Sequence, residues 1–325
     1  MPRASSLTLL FLLLLIAIPP ATSATPPASN TTAAAVLLSF LAALPPASQR
    51  LLLPSWNTNS GGASSAAAGP HCAFRGVTCS AAGAVTALNL TDASLAGNLA
   101  ASAPLLCALP ELAALDLSRN NFTGAVPAAL AACSGVATLL FPGNALSGAL
   151  PPELLSSRQL QKLDLSFNAL AGEIPAPSAG GSSPLQYLDL SHNTLSGAIP
   201  PELTALPELN HLDLGLNRLS GQLPEFPVHC GLQFLSAYGN QIAGDLPRSL
   251  GNCGNLTVLF LSTNKIGGTV PDIFGSLPGL LKLYLADNAF TGELPASIGK
   301  LVNLEKLMVS TNGFTGPVPD SIGNC

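Results

Sequence analysis

Phe260, Tyr284 and Met308 follow one another at intervals of 24 residues, and Lys282 and Lys306 share that interval. Phe234 and Tyr238 lie one such interval upstream of Val258 and Ser262 or close to it, so apolar rings and cations recur in phase. Rings that supply contact area beside ammonium groups that meet carboxylates are the chemistry of a surface for an extended peptide. Read singly, exposed apolar residues mean little, because much of any protein surface is apolar. His192 and His211 fall in neighbouring repeat units, where an imidazole pair can share a metal or sense acid pH. No Cys or second His pair accompanies them in phase, so ordinary surface histidines are the simpler reading. The chain has no Gly-Lys-Ser/Thr phosphate loop, no nucleophile elbow, no His-Glu-x-x-His helix and no kinase motif. It therefore reads as a binding protein rather than an enzyme, with no catalytic residue, cofactor or metal assigned.

Those residues need a scaffold that repeats. Asparagines stand at 120, 144, 168, 193, 217, 240, 264, 288 and 312, with gaps of 23 to 25 residues. Four residues after each comes Gly124, Gly148, Gly172, Gly197, Gly221, Gly244, Gly268, Gly292 or Gly316, and seven after each comes a proline, from Pro127 to Pro319. Gly and Pro number 30 and 29 in 325 residues, so this register is a true repeat and not chance. Leucines hold fixed phases too, as in Leu112, Leu115 and Leu117 or Leu256, Leu259 and Leu261. Each unit predicts a short alternating strand followed by a turn, and such units bury their apolar edges only by stacking into a solenoid. The repeated amide donates and accepts, so it can satisfy backbone groups that the turn would bury unpaired. Gly supplies a tight or positive-φ turn, and Pro fixes φ.

Side chains alternate along a strand, so the residues two, four and six places before each Asn should face outward on the concave sheet. At four places before, the early units read Asp116, Leu140, Asp164, Asp189 and Asp213, and the later ones Ser236, Phe260, Tyr284 and Met308. The aspartates read as scaffold. The change of character makes Phe234, Tyr238, Phe260, Lys282, Tyr284, Lys306 and Met308 the candidate ligand-binding residues.

Only 9% of the residues are charged, the net charge is -5 and the isoelectric point is near 5.3. An acidic chain without a basic run is no general ligand of nucleic acid or anionic membrane. Met1-Pro2-Arg3, the uncharged stretch 7–18 and Ala21-Thr22-Ser23-Ala24 make a secretory signal peptide, residues 1–24, with cleavage after Ala24. That apolar core is shorter than the roughly 20 residues a membrane helix needs, and no second apolar run reaches that length. The mature chain is thus expected to be exported, without a membrane span of its own. Asn30, Asn89, Asn121 and Asn255 open glycosylation sequons, a pattern that also arises by chance.

Units such as Leu188-Asp189-Leu190-Ser191-His192-Asn193-Thr194-Leu195-Ser196-Gly197-Ala198-Ile199-Pro200 resemble the plant-specific class of leucine-rich repeat. The match runs from residue 85 to 325: a first degenerate unit, then nine Asn-bearing units. Residues 25–84 resemble that family's N-terminal cap. In it, Val36, Leu37, Phe40, Leu41 and Leu44 fall at helical spacing behind Thr32, with Trp56 and Cys72-Ala73-Phe74-Arg75-Gly76-Val77-Thr78-Cys79 following. Residues 60–69 read as a loop inserted in the cap. Phe74 stands where the family usually has Trp. The resemblance implies a disulfide between Cys72 and Cys79. For Cys133, Cys253 and Cys325, which share one phase, the preferred reading is a small buried hydrophobe. Cys230 with Cys253 and Cys107 with Cys133 are the alternatives as bridges between neighbouring coils, and seven cysteines leave at least one unpaired within the chain.

The resemblance implies an α/β repeat fold: a right-handed leucine-rich-repeat solenoid, with a parallel concave sheet from about Leu88 to Val309 and a helical cap. It also implies the N-terminal part of the extracellular domain of a plant receptor-like kinase. In that family a secreted peptide or other extracellular ligand recruits a leucine-rich-repeat co-receptor kinase at the cell surface. The chain lacks the paired Arg-x-Arg strand motif with which some relatives hold a peptide carboxylate. The alternatives are a secreted protein like the polygalacturonase inhibitors and a kinase-less receptor-like protein. The expectation is of a chain cut short inside a unit at Cys325, with an open apolar end.

Overall fold

The computed structural model describes residues 32–57, 69–178 and 183–324. The expected signal peptide, Asn30, most of the expected cap loop and Cys325 lie outside these residues. Helix α1 spans Ala33–Ala42 and starts at Thr32, whose hydroxyl accepts from the Ala35 N–H at 3.3 Å. Helix α2 spans Pro46–Leu52, opening on a proline that has no N–H to leave orphaned. Val36, Leu37, Phe40, Leu41 and Leu44 face inward, as their helical spacing requires, against Leu52 and Trp56. The Trp56 ring stacks on Phe74 at 5.6 Å, and its indole N–H donates to the Arg75 carbonyl at 3.0 Å. This apolar plug covers the first coil, whose leucines would otherwise meet water.

Beyond the cap, the strand Val85–Asn89 is the first of ten parallel strands that run unit by unit to Lys306–Met308 in a sheet of eleven. Successive units pair parallel and in perfect phase, for instance Tyr187 opposite His211 and Asp189 opposite Asp213. The sheet also holds one strand absent from the sequence reading: Val77–Cys79, in the cap, pairs antiparallel with Val85–Asn89. The expectation of one strand per unit needs correction as well. A second, six-stranded sheet joins Ala96–Asn98, Asn121–Gly124, Ala145–Gly148, Ala169–Glu173, Thr194–Gly197 and Arg218–Leu219, and two further pairs continue it in later units. Its strands fall just after each repeat Asn, where Gly hides the apolar alternation that marks a strand.

The core is a leucine column. In the concave strands the middle residue is buried and its neighbours half-buried, so Leu163, Leu188, Leu212 and Leu259 are fully enclosed. Asn193 shows what the repeated amide does. It donates to the carbonyls of Leu165, Leu190 and Ser191 at 3.0 to 3.1 Å and accepts from the Leu170 N–H at 2.9 Å, linking two coils. The residue before each Asn adopts left-handed φ throughout, including Phe167 at 53° and His192 at 55°. All nine glycines four places after the asparagines have positive φ too.

Cys72 and Cys79 are bonded to each other, with Cα atoms 5.7 Å apart. The preferred reading of Cys133 and Cys253 as unpaired hydrophobes is overturned: Cys107–Cys133 and Cys230–Cys253 are disulfides, with Cα separations of 4.9 and 4.6 Å. The reason is geometric. Neighbouring coils lie about 4.8 Å apart, so residues at nearly the same phase in adjacent units are already within bridging distance.

Candidate ligand-binding surface

The concave sheet carries its side chains in columns, one residue from each coil. Six places before the repeat Asn, the column reads Lys162, Tyr187, His211, Phe234, Val258, Lys282 and Lys306, each opposite the next. Strand spacing is close to the thickness of two stacked rings, so aromatics in one column pile face to face. Tyr187 and His211 lie 4.1 Å apart and His211 and Phe234 4.2 Å, both within 10° of parallel. Lys162 Nζ covers the open end of the stack, 4.4 Å from the Tyr187 ring centre.

A second stack crosses the sheet in later units. Tyr238 lies on Phe260 at 4.4 Å, and Phe260 meets Tyr284 at 4.7 Å with a 43° tilt. Gly215 makes room for it. A Cβ there would sit 2.6 Å from the Tyr238 ring, whereas five other units carry Ser at this place. Along the edge of the sheet, Phe167 stacks on His192 at 3.7 Å, and Phe167 is 55% exposed.

Of the residues expected to bind ligand, Phe234, Tyr238, Phe260, Lys282 and Tyr284 are half-buried on this face, while Lys306 and Met308 are exposed. Sequence reasoning missed the first stack and the edge pair. In sequence Tyr187 carries no signal of its own and His211 reads as a surface histidine, although both stand six places before an Asn, the phase of Lys282. His192 and His211 sit in different columns, each against an aromatic ring, and no metal-binding group includes them among the described residues. The one trio with suitable spacing, His71 with Cys72 and Cys79, has both sulfurs in the disulfide.

Between the first stack and the edge pair lies a row of carboxylates. Asp164 Oδ1 accepts from the Ser166 N–H at 3.0 Å, Asp189 Oδ1 from Ser191 at 2.9 Å and Asp213 Oδ1 from Gly215 at 2.9 Å. These are Asx turns that close each strand, the scaffold part the sequence gives them. Burial pushes all three carboxyl groups above the usual carboxylate range, against the pull of those hydrogen bonds. Burial lowers His211 to about 4, with Lys162 adding to it, so the imidazole in the stack is neutral near neutral pH. Tyr187 is raised, first by burial and then by the charges of Asp189, Asp164 and Asp213. Asn89, Asn121 and Asn255 have exposed side chains, and Asn89 lies on the concave strand opposite Asp116.

Comparison with known proteins agrees with this geometry. A family model described as Leucine rich repeat matches residues 158–219 and 252–314, and a second matches 111–133. No curated protein matches in sequence. Among solved structures, the ectodomain of the receptor kinase GASSHO1/SCHENGEN3 from Arabidopsis thaliana, in complex with CASPARIAN STRIP INTEGRITY FACTOR 2, is 32% identical. It superposes at a TM-score of 0.78 over 88% of this chain and 33% of its own. The plant peptide hormone receptor RGFR1, in complex with RGF2, is 32% identical with a TM-score of 0.67, over 74% of this chain and 38% of its own. A plant ice-binding protein is 26% identical with a TM-score of 0.73, over 88% of both chains. The chain thus spans about a third of the length of the two receptor ectodomains. Its capped coils, asparagine ladder and parallel sheets make it a leucine-rich-repeat protein, similar in its coils to plant receptor-kinase ectodomains.

Proposed function

We propose that this chain is part of the extracellular ligand-recognition domain of a plant receptor kinase. It binds a secreted peptide on the concave sheet and, once occupied, joins a leucine-rich-repeat co-receptor kinase. The observation that carries this reading is the pair of ring stacks, Tyr187–His211–Phe234 and Tyr238–Phe260–Tyr284, followed by Lys282 and Lys306. Rings stacked face to face offer only their edges, which suits a peptide's carbonyl oxygens and side chains better than the flat face of a sugar. Three disulfides fit an oxidising, secretory environment, and the leader 1–24 with a cap over 25–84 belongs to the same proposal. Asn89, Asn121 and Asn255 are its proposed glycosylation sites.

Titration of the secreted protein with a panel of synthetic plant secreted peptides, followed by calorimetry, tests this. For the peptide that binds, Phe260→Ala or Tyr284→Ala is expected to cost about 2 kcal/mol, roughly 30-fold in Kd, with little change in Tm. Equal affinity in parent and both variants would place binding elsewhere. The match to a plant ice-binding protein over 88% of both chains supports a second reading, a free secreted repeat protein. Inhibition of ice recrystallisation by the purified chain, together with silence toward every peptide, would favour it.

A further inference from the structure

The concave face is polar along its length. In the columns two, four and six places before the repeat Asn, the strands Lys162–Asp164, Tyr187–Asp189 and His211–Asp213 carry three carboxylates against one ammonium. That ammonium, Lys162, lies over the Tyr187 ring at the outer end of the row. His211 beside them is neutral near neutral pH, so it does not offset the acids. The strands Phe234–Ser236 and Val258–Phe260 carry no charge in these columns, and Lys282–Tyr284 and Lys306–Met308 carry two ammonium groups and no carboxylate. Acid, aromatic and basic stretches thus follow one another across a single uncovered sheet.

The acid stretch is recessed. The stack Tyr187–His211–Phe234 rises on one side of Asp164, Asp189 and Asp213, and the pair Phe167–His192 on the other. The walls leave the carboxylates half-buried and supply no cation to the middle of the row. A guanidinium or ammonium lying over Asp189 would meet the carboxylates below it, and the apolar rings beside the row would leave that attraction less screened than on an open surface.

Resting on the peptide-recognition reading above, we propose that the occupant is an extended peptide with a basic side chain over Asp164, Asp189 and Asp213 and an acidic group over Lys282 and Lys306. The spacing between those charges follows from the sheet. Asp189 and Lys282 are four strands apart in the register, about 19 Å at strand spacing. An extended chain covers about 3.4 Å per residue, so roughly five or six residues separate the two charges, one more if the acid sits on Lys306. The rings of Phe234, Tyr238 and Phe260 lie under the segment between them, which is expected to be apolar.

Selection from a displayed random dodecapeptide library against the intact secreted protein tests this. Parallel selections use the variants Asp164→Asn/Asp189→Asn/Asp213→Asn and Lys282→Glu/Lys306→Glu. The amide keeps an oxygen for the Asx turn, and circular dichroism melts establish that each variant is folded. Peptides enriched on the parent should carry a base and an acid about five to seven positions apart. The first variant should lose the preference for the base, and the second should replace the acid by a base. Peptides that depend on Phe260 but show no such charge pair would overturn the charge register and leave peptide recognition standing. Enrichment that ignores Phe260, Asp189 and Lys282 alike would overturn both.

Discussion

At the scale of the residue, the buried asparagines and the stacked histidine show opposite uses of a polar group. Each repeat Asn bonds backbone atoms of two coils, so removing one weakens both and leaves one buried N–H unpaired. Asn193→Ala orphans the Leu170 N–H and takes one of two donors from the carbonyls of Leu165, Leu190 and Ser191, which keep the Asn168 amide, the Asn217 amide and the Phe167 N–H. We expect it to lower stability by about 1 to 3 kcal/mol, read as a shift of the urea midpoint; a shift within error would deny the amide its role. His211 has a pKa of about 4 in the fold against 6.5 for a free imidazole. A base whose pKa is depressed by folding contributes stability above pH 6.5 and loses it as pH falls toward 4. The raised aspartates work the other way, gaining as pH falls, so the parent alone does not isolate the histidine. His211→Phe keeps a ring in the stack and removes the titration. Its unfolding free energy relative to the parent should rise steadily as pH falls from 6.5 to 4, by no more than about 2 kcal/mol because the imidazole is partly solvated. A difference that stays constant across that range would contradict the assigned burial. Asn, Gly and Pro were legible in the sequence because their phase never varies. Tyr187 and His211 were not, because a ring stack is a relation between coils and no single unit contains it.

At the scale of the element, a strand is three residues long and is defined by the coil beside it. The Asn-to-Asn interval dictates the concave register, which is why the parallel sheet could be read before any coordinates. The second sheet could not, since glycine at the centre of Ala96–Asn98 or Ala243–Asp245 leaves no side-chain alternation to detect. The coil-to-coil disulfides were legible only as alternatives for a related reason: Cys230 and Cys253 are 23 residues apart in sequence but neighbours in the stack. Bridging them closes about one coil in the unfolded chain, worth about 3 kcal/mol in the loop-entropy view. Cys230→Ala/Cys253→Ala, measured by denaturant unfolding under oxidising conditions, should lose an amount of that order. An unchanged midpoint would mean that the bridge only decorates coils already held by leucine packing.

At the scale of the whole molecule, stability in a stack of coils is a sum of each coil and its two interfaces, so it varies along the axis. Leu212, Leu235 and Leu259 of the central units are 0 to 2% exposed. Their counterpart Leu307 is half-buried, as are Leu304, Val309 and Phe314, while Val302 and Val318 are 62% and 63% exposed. The coil that contains them has an apolar interface on one side and water on the other in this polypeptide. Its opening costs one interface instead of two, and local opening sets amide exchange. Hydrogen exchange of the 325-residue protein should therefore show protection that is highest from Leu188 to Leu259 and falls through Leu304 and Val309. At the other end the cap buries Trp56 and Phe40, so the first coils should hold their amides longer than the last. Fusing a polar capping unit behind residue 324 should raise protection in the Lys306–Met308 strand and leave the centre unchanged. Equal protection of Leu307 and Leu212 in a monodisperse sample would show that the final coil draws its stability from its own turn and amide hydrogen bonds rather than from a neighbour.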